Sequence, residues 1–519
     1  MNEQGPLVIV AGRGPYSVIS ATDDANAPRF LWDRGAGGLA QGSIPLPRGS
    51  EIVSTPKTPE DELAQRFDAQ PPRLVEQGVT QRFLMADEHT RRQHGEYFGR
   101  VTWFLHHDLF RPDHAPDLTA VRIRGLFDAH VAMNEIAAKE VVAAINRICD
   151  AHPDLEPWQI PVLVQDHHFD LVGDRLKAAW AAAENPRREL DAPASVLFLH
   201  TAIASRDSWS TFSALVPDVA TKHAEALAAT QVATHDHEWA RRLTDILEMT
   251  LPPGTPVITP WAGPYPPSAQ RAADIVDTPT FEADRASLRA ITAGRRVVAA
   301  VARVDPPKNL PVLVEAFATM LEQHPELADE VVLVVQTGPG RNFPEYQSEI
   351  KSLERAVARA NADAKERGAL PPVKLETDGS AYRATALQLD ADVIAFVSTS
   401  DGFGHVALEG AYAGSNAALV VSPNTGAARW IDEHCADAVT VVDPHSIQSI
   451  ADGIHEALRL PAPERSRRAE ALRLTAHELV DQAPTWANDQ VRWAAAPAVV
   501  RALTAALTQT FTSPMRGIG

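Results

Sequence analysis

Arg303 and Lys308, in the stretch Arg303-Val-Asp-Pro-Pro-Lys308, put two cations five residues apart on one loop. Such a pair suits the two phosphates of a nucleoside diphosphate and neutralises charge building on a departing group, usually a large catalytic contribution. The plainer reading of the same residues is a solvated loop. Further on, Ser398-Thr-Ser-Asp401-Gly402-Phe403-Gly404-His405 leads into a helical stretch that begins at Val406. Two glycines ahead of a helix start let backbone N–H groups approach an anion, which the helix dipole also favours. Asp401 is placed there to accept from sugar hydroxyls, and Glu409 follows one helical turn beyond His405. Nearer the N-terminus, Gly12-Arg13-Gly14 and Gly35-Ala-Gly37-Gly38-Leu39 either hug a phosphate or simply bend the chain. Asp166-His167-His168 and His200 each come after an apolar run and suit substrate hydroxyls. The 19 histidines include the pairs His106-His107 and His167-His168, but none has the helix spacing of a zinc protease and no cysteine spacing supports a metal. No metal or other cofactor is expected. A Gly-x-Ser-x-Gly elbow and a Walker loop are both missing from the sequence.

The loops that carry these residues need strands to end where they begin. Short Val-rich runs recur at Leu7–Ala11, Val162–Gln165, Val196–Leu199, Val297–Ala302, Val331–Gln336, Val373–Glu376, Val393–Val397, Ala418–Val421 and Ala438–Val442. Runs of this length without alternation fit strands covered on both faces, as in a parallel sheet. Helical periodicity separates them: Leu313, Val314, Phe317, Met320 and Leu321 share one face of 310–323, and Ile447, Ile450, Ile454 and Leu458 share one face of 447–460. Alternating strands and helices predict an α/β fold with crossover connections. Ligands in such folds bind at the carboxyl ends of strands. Seven prolines between Leu251 and Ser268 read as an interdomain linker. The expected organisation is a first domain over residues 1–265, a second over 266–475, and a helical tail over 476–510 carrying Trp486 and Trp493, which packs back on the first domain.

At 519 residues the chain exceeds one ordinary core. Its 48 basic and 67 acidic side chains leave a formal charge of -19, which argues against nucleic-acid and anionic-membrane partners, since those need broad basic surfaces. A small anionic substrate needs only a few local cations. Two cysteines, Cys149 and Cys435, make no disulfide framework. The first apolar run is too short for a signal-peptide core, and no stretch approaches the roughly 20 apolar residues of a membrane helix. A cytoplasmic location is expected, and a homo-oligomer is left open.

Taken in order, these pieces resemble glycosyltransferase family 20, whose best-known members are the trehalose-6-phosphate synthases. Arg13 stands where the family has an N-terminal arginine that touches the acceptor phosphate, and Gly37-Gly38-Leu39 matches its donor loop. Trp103, with His107 four residues on, resembles its Trp-Pro-x-x-His segment near the acceptor. Asp166-His167-His168 resembles its His-Asp-Tyr-His-Leu motif, and His200 the histidine of His-Ile-Pro-Phe-Pro. Arg303 and Lys308 match the pair that grips the donor pyrophosphate, and Arg341 resembles a second acceptor-phosphate arginine. Asp401, Gly402, Phe403, Gly404, His405, Val406 and Glu409 match the loop and helix that hold donor sugar and ribose. The resemblance implies a GT-B fold, with two Rossmann-like halves across a cleft and a C-terminal helix crossing back. It implies retaining transfer from a nucleoside-diphosphate sugar (UDP- or GDP-linked) to a sugar phosphate, without a protein nucleophile or a metal. Arg303, Lys308, Asp166 and His200 are the expected catalytic set; Arg13, His94, Trp103, His167 and Arg341 are the expected acceptor residues.

The departures bear on substrate. His167 replaces a tyrosine, His94 aligns with another, and Thr-Ala-Ile-Ala comes after His200. Phosphate-gripping positions are retained while hydroxyl-reading positions change. Arg303-Val-Asp-Pro-Pro-Lys-Asn309 and Ser398-Thr-Ser-Asp-Gly402 also resemble pseudo-glycosyltransferases of the validoxylamine 7′-phosphate synthase type, which couple a nucleotide-linked cyclitol to an aminocyclitol phosphate through a C–N bond. A third alternative is an inactive relative that binds a sugar phosphate and regulates a partner.

Overall fold

The computed structural model describes residues 5–22, 28–34, 46–111, 115–263, 275–276, 278–338, 340–366, 368–482 and 485–494. The expected 265/266 boundary, Gly37, Gly38 and tail residues 495–510 lie outside the described residues.

Two parallel sheets organise the chain. Its strands are β1 (Val8–Ala11), β2 (Tyr16–Ala21), β3 (Phe30–Arg34), β4 (Glu51–Ser54), β5 (Thr80–Phe83), β6 (Val162–Gln165), β7 (Ser195–Leu199), β8 (Gln231–Thr234), β9 (Trp261–Ala262), β10 (Arg296–Val301), β11 (Val331–Gln336), β12 (Val373–Glu376), β13 (Val393–Phe396), β14 (Ala418–Val421) and β15 (Val439–Val441). The first sheet runs β5-β4-β1-β6-β7-β8-β9 and the second β12-β11-β10-β13-β14-β15, with β2 and β3 a separate antiparallel hairpin. Central strands such as β1, β6, β11 and β13 are buried at every residue, as Val-rich runs with helices on both faces must be.

In both sheets the chain order reverses beside the first strand. From β1 the chain moves outward to β4 and β5, then returns to place β6 on the other side; β10 stands in the same relation to β11, β12 and β13. Such a switch point opens a crevice beyond the carboxyl ends of the two central strands. Arg13 lies just after β1, Asp166 after β6, Arg303 after β10 and Asp401 after β13.

Helices cover the sheets with their apolar faces. The 32-residue helix Ala120–Ala151 buries Ile123, Leu126, Phe127, Met133, Val141 and Ile145 at three-four spacing, with His130 and Asn134 on the same buried face. Leu310–Gln323 buries Leu313, Val314, Phe317 and Met320 against the second sheet. The predicted crossover begins later than residue 476: Ala462–Asp481 is one helix whose Leu472, Ala476 and Leu479 belong to the second core. The helix over 485–494 then returns to the first sheet, seating Trp486 and Ala487 among Leu7, Ile9, Val196 and Phe198.

Candidate active site

Side chains from the two sheets meet where the two switch points face each other. Trp239 Nε1 donates to Gly402 O at 2.7 Å, and Tyr346 OH donates to Gly99 O at 2.8 Å. Arg100 grips Glu345 with Nε to Oε2 at 3.0 Å, and Arg429 reaches Asp236 at 2.8 Å. A Cβ on Gly402 would collide with His200 O, so only glycine lets this loop lie against the first half.

Three guanidiniums converge on the cleft. Arg341 stacks on the Trp103 ring with its Cζ 4.0 Å from the centroid, and Arg303 lies 5.8 Å from the same ring. Arg13 is held below its ordinary value by burial and by repulsion from Arg303 and Arg341. One buried carboxylate, Asp305, offsets them, with Arg303 Nη2 at 2.8 Å and Arg341 Nη1 at 3.6 Å. Guanidiniums held this close to one another offer the forked donors that seat phosphate oxygens. Arg341 Nη1 also donates to the Tyr346 hydroxyl at 2.9 Å, which fixes its fork.

Lys308 and Asp401 form a salt bridge between the β10 and β13 loops. Asp401 is anchored by its N–H to Asn424 O at 3.1 Å. A 340 Å³ cavity beside this pair is bordered by Arg303, Gln336, Ser380, Val406 and Glu409. These come from the loop after β10, the end of β11, the loop after β12 and the helix Val406–Tyr412, so Val406 and Glu409 border a cavity at the carboxyl ends of the strands.

Asp166 takes φ +70° and ψ 168°, a conformation that costs a non-glycine residue about 1–3 kcal/mol and recurs at functional sites. Its Oδ1 accepts from His200 N at 3.2 Å and engages His167 Nδ1 at 3.0 Å; His168 Nδ1 is 3.7 Å from Oδ2. Burial alone would raise its pKa, but His167, His168 and His200 outweigh that and hold it well below the usual carboxylate range. Burial lowers His106, His168 and His405 to about 3 and His200 to about 4, so these four rings stay neutral. Neutral rings both donate and accept, which suits hydroxyl recognition beside a cationic cluster.

Three expected contacts need correction. His94 is buried behind the cleft, its Nδ1 3.1 Å from His130 Nδ1 and its ring stacked on Phe169. His167 is fully buried and orients Asp166 rather than facing an acceptor. Phe403 is a core residue 1% exposed, so the loop's glycines and polar side chains line the cleft and its aromatic ring does not. Conversely, Asp305, Tyr346, Trp239 and His235 belong to the site or its frame beyond the expected set. Asp305 carried a signal, since an acid two residues from Arg303 is placed to orient it. His235, buried and 5.4 Å from the His200 ring, carried none.

Among the described residues, two clusters have metal-like donor sets: Asp166, His167, His168; and His130, Asp170, His223. In the second, His130 Nε2 and His223 Nε2 lie 2.8 and 2.5 Å from the two Asp170 oxygens. Each carboxylate oxygen is thereby matched to an imidazole nitrogen by direct hydrogen bonding, so the arrangement is complete without an ion.

Paired parallel sheets with facing switch points, an inter-sheet cleft and a returning C-terminal helix define a GT-B fold. The model of glycosyltransferase family 20 matches residues 268–495 of the chain. It is similar to alpha,alpha-trehalose-phosphate synthase [UDP-forming] 1 of Arabidopsis thaliana, 25% identical over 482 residues, which make up 89% of this chain and 47% of that one. The second such enzyme of Aspergillus fumigatus is 23% identical over 482 residues, 90% of this chain and 92% of its own. The chain thus spans about half of the Arabidopsis protein and nearly all of the fungal one. The crystal structure of a Burkholderia xenovorans UDP-forming synthase in complex with glucose-6-phosphate superposes with a TM-score of 0.71 at 19% identity, covering 94% of this chain and all of that one.

Proposed function

We propose that the chain transfers a sugar, with retention, from a nucleoside-diphosphate sugar to a phosphorylated sugar acceptor. The observation that carries this reading is the convergence of Arg13, Arg303 and Arg341 between two switch points. Two phosphate-bearing ligands suit such a cluster of guanidiniums. The donor pyrophosphate takes Arg303 and draws Lys308 from Asp401, which frees the Asp401 carboxylate for donor-sugar hydroxyls. Glu409, in the adjoining cavity, takes the ribose. The acceptor phosphate takes Arg13 and Arg341, with Trp103 as the platform that holds Arg341 in place.

Charge developing on the departing diphosphate meets preorganised cations and needs no reorganisation of solvent. The departing phosphate oxygen takes the acceptor hydroxyl proton on the face that the donor bond leaves. Asp166 is poorly placed to be a nucleophile, because its Oδ1 is already engaged by His167 and the His200 N–H. It instead holds those groups against the acceptor side. The names of the relatives support uridine diphosphate as the released nucleotide, and the Burkholderia complex supports a glucose 6-phosphate-like acceptor.

The test is a thermal-shift screen against UDP, GDP and ADP, each with and without glucose 6-phosphate. A shift with one nucleotide, enlarged by the sugar phosphate, is expected from ligand linkage. Arg341→Ala is then expected to weaken the phosphorylated acceptor far more than its unphosphorylated analogue. No shift with any nucleotide overturns the transferase reading, and equal losses for both acceptors remove Arg341 from the phosphate.

A further inference from the structure

Tyr346 belongs to the helix Pro344–Ala360 of the second half, yet it is fully buried in the core of the first. Its ring meets Phe104 edge-on, with the centroids 5.8 Å apart. Around it two short stretches of chain face each other: Tyr97 to Trp103 from the first half, and Arg341 to Tyr346 from the second. They touch at three further points. Phe343 covers Gly99 so closely that a Cβ there would lie 2.5 Å from the ring, Arg100 grips Glu345, and Arg341 stacks on Trp103.

The Tyr346 hydroxyl has one proton and two polar neighbours. Gly99 O, at 2.8 Å, can only accept, and Arg341 Nη1, at 2.9 Å, can only donate. The proton therefore goes to Gly99 O, and a lone pair of the hydroxyl faces the guanidinium. Burial raises the phenol above its ordinary value, which keeps that proton in place.

A neutral acceptor does here what a carboxylate would not: it sets the direction of Nη1 without cancelling the charge. Asp305 Oδ2 stands 3.6 Å from the same nitrogen, beyond hydrogen-bond reach, while it lies 2.8 Å from Arg303 Nη2. Two restraints thus hold the Arg341 fork, the Trp103 ring against its face and the hydroxyl at one edge. Arg341 keeps 19% of its side chain exposed and is able to meet a ligand; Tyr346, at 0%, acts only through it.

We propose that Tyr346 is a positioning residue for the acceptor phosphate. Its hydroxyl, tied to Gly99 of the first half, holds the Arg341 fork on Trp103 and off Asp305, so that the charge of Arg341 is left for the phosphate. The role rests on the proposed function, in which Arg341 meets that phosphate. Without the hydroxyl, a small movement brings Nη1 to Asp305 in a charge-assisted hydrogen bond, and an incoming phosphate must compete with that carboxylate.

The experiment is titration calorimetry on the full chain, with glucose 6-phosphate at saturating UDP and with UDP by itself. Tyr346→Phe keeps the buried ring and removes one oxygen. It is expected to raise the Kd for glucose 6-phosphate about tenfold, the scale of a hydrogen bond to a charged group, and to keep UDP affinity within about twofold. Glu345→Ala cuts the neighbouring tie to Arg100 and spares the hydroxyl; both affinities are expected to stay within about twofold. Arg341→Ala supplies the full loss for comparison, and thermal melts check that every variant folds. Wild-type affinity for glucose 6-phosphate in Tyr346→Phe, or a loss of UDP affinity in step with it, overturns the positioning role while the Arg341 assignment stands. An equal loss in Glu345→Ala does the same, because the hydroxyl is then only a tie between the halves. If Arg341→Ala leaves glucose 6-phosphate binding unchanged, or the wild-type chain does not bind it, the acceptor assignment itself falls and this role falls with it.

Discussion

Lys308 is held by the Asp401 carboxylate, and the proposed function gives it a second partner, the donor pyrophosphate. If the exchange underlies turnover, Lys308→Ala and Arg303→Ala each lower kcat by about a hundredfold or more, because each removes a cation facing the leaving group. Near-normal rates in both variants would refute the donor assignment. The histidines give a second prediction at this scale. His106, His168 and His405 titrate near 3 and His200 near 4 in the folded chain, against an ordinary 6.5. Between those limits the unfolded chain binds more protons, so stability is fully present above about pH 6.5 and is lost as pH falls toward 3. Each such group contributes a slope of up to about 1.4 kcal/mol per pH unit. The urea midpoint is therefore expected to drop between pH 7 and pH 5, and His168→Gln to shallow that drop by about one proton. A midpoint indifferent to pH over this range counts against buried neutral imidazoles.

The turn after Glu88–Glu96 is a π-helix, Tyr97–Thr102, leading directly into Trp103–His106. A π turn adds a residue to the helical repeat and so re-aims the side chains of the next turn; here it accompanies the placement of Trp103 under Arg341. Behind it the helix Ala120–Ala151 buries His130 on an otherwise apolar face, and Asp170 accepts from His130 and His223 together. Removing a buried acceptor strands its donors, at about 1–3 kcal/mol each. Asp170→Ala is expected to lower stability by about 2–6 kcal/mol, read by denaturant unfolding, and a loss below about 1 kcal/mol would mean that the network is dispensable. On the facing side, Gly402→Ala puts a methyl into His200 O, a backbone atom that cannot rotate away. Its expected signature is a rate loss of at least about tenfold with the fold retained, since overpacking strain of about 1–3 kcal/mol falls on the contact between the halves. Unchanged kinetics would show that the two loops separate during turnover.

Across the whole molecule, a formal charge of -19 coexists with a cluster of three guanidiniums in the cleft. The acidic surface repels polyanions, while the local cations select small ones. Among the described residues, Trp239, Tyr346, Arg100 and Arg429 make polar ties between the halves, and the helix over 485–494 adds apolar contacts and the Gln165–Gln490 hydrogen bond. Trp486, 3% exposed against Phe198, is the anchor of that return. Trp486→Ala is expected to cost about 3–5 kcal/mol by the general behaviour of buried aromatics, and to lower the thermal midpoint. An unaffected midpoint would mean that the returning helix does not contribute to the fold.

Residue type and order along the chain were enough to locate all six strands of the second sheet, three of the seven of the first (β1, β6 and β7), the helices over 310–323 and 447–459, and the loops bearing Arg303, Lys308, Asp166 and Asp401. Those features are local: a Val-rich run, a three-four apolar face and a glycine-rich turn each announce themselves within a few residues. Strands β4, β5 and β8 were not legible, because Glu-Ile-Val-Ser, Thr-Gln-Arg-Phe and Gln-Val-Ala-Thr mix polar residues into runs of four. Their polar members are tolerated only through distant partners, as Glu51 is by Arg147 at 2.6 Å. The buried histidines were illegible for the same reason. Whether His94 meets a ligand or His130 depends on how a helix 36 residues away is rotated against it. The meeting of Arg13, Arg303 and Arg341, drawn from three strand ends in two sheets, was likewise decided by strand order and by the packing of one half on the other. Charge convergence is a property of distances, and those distances exist only once both sheets have formed and closed on each other.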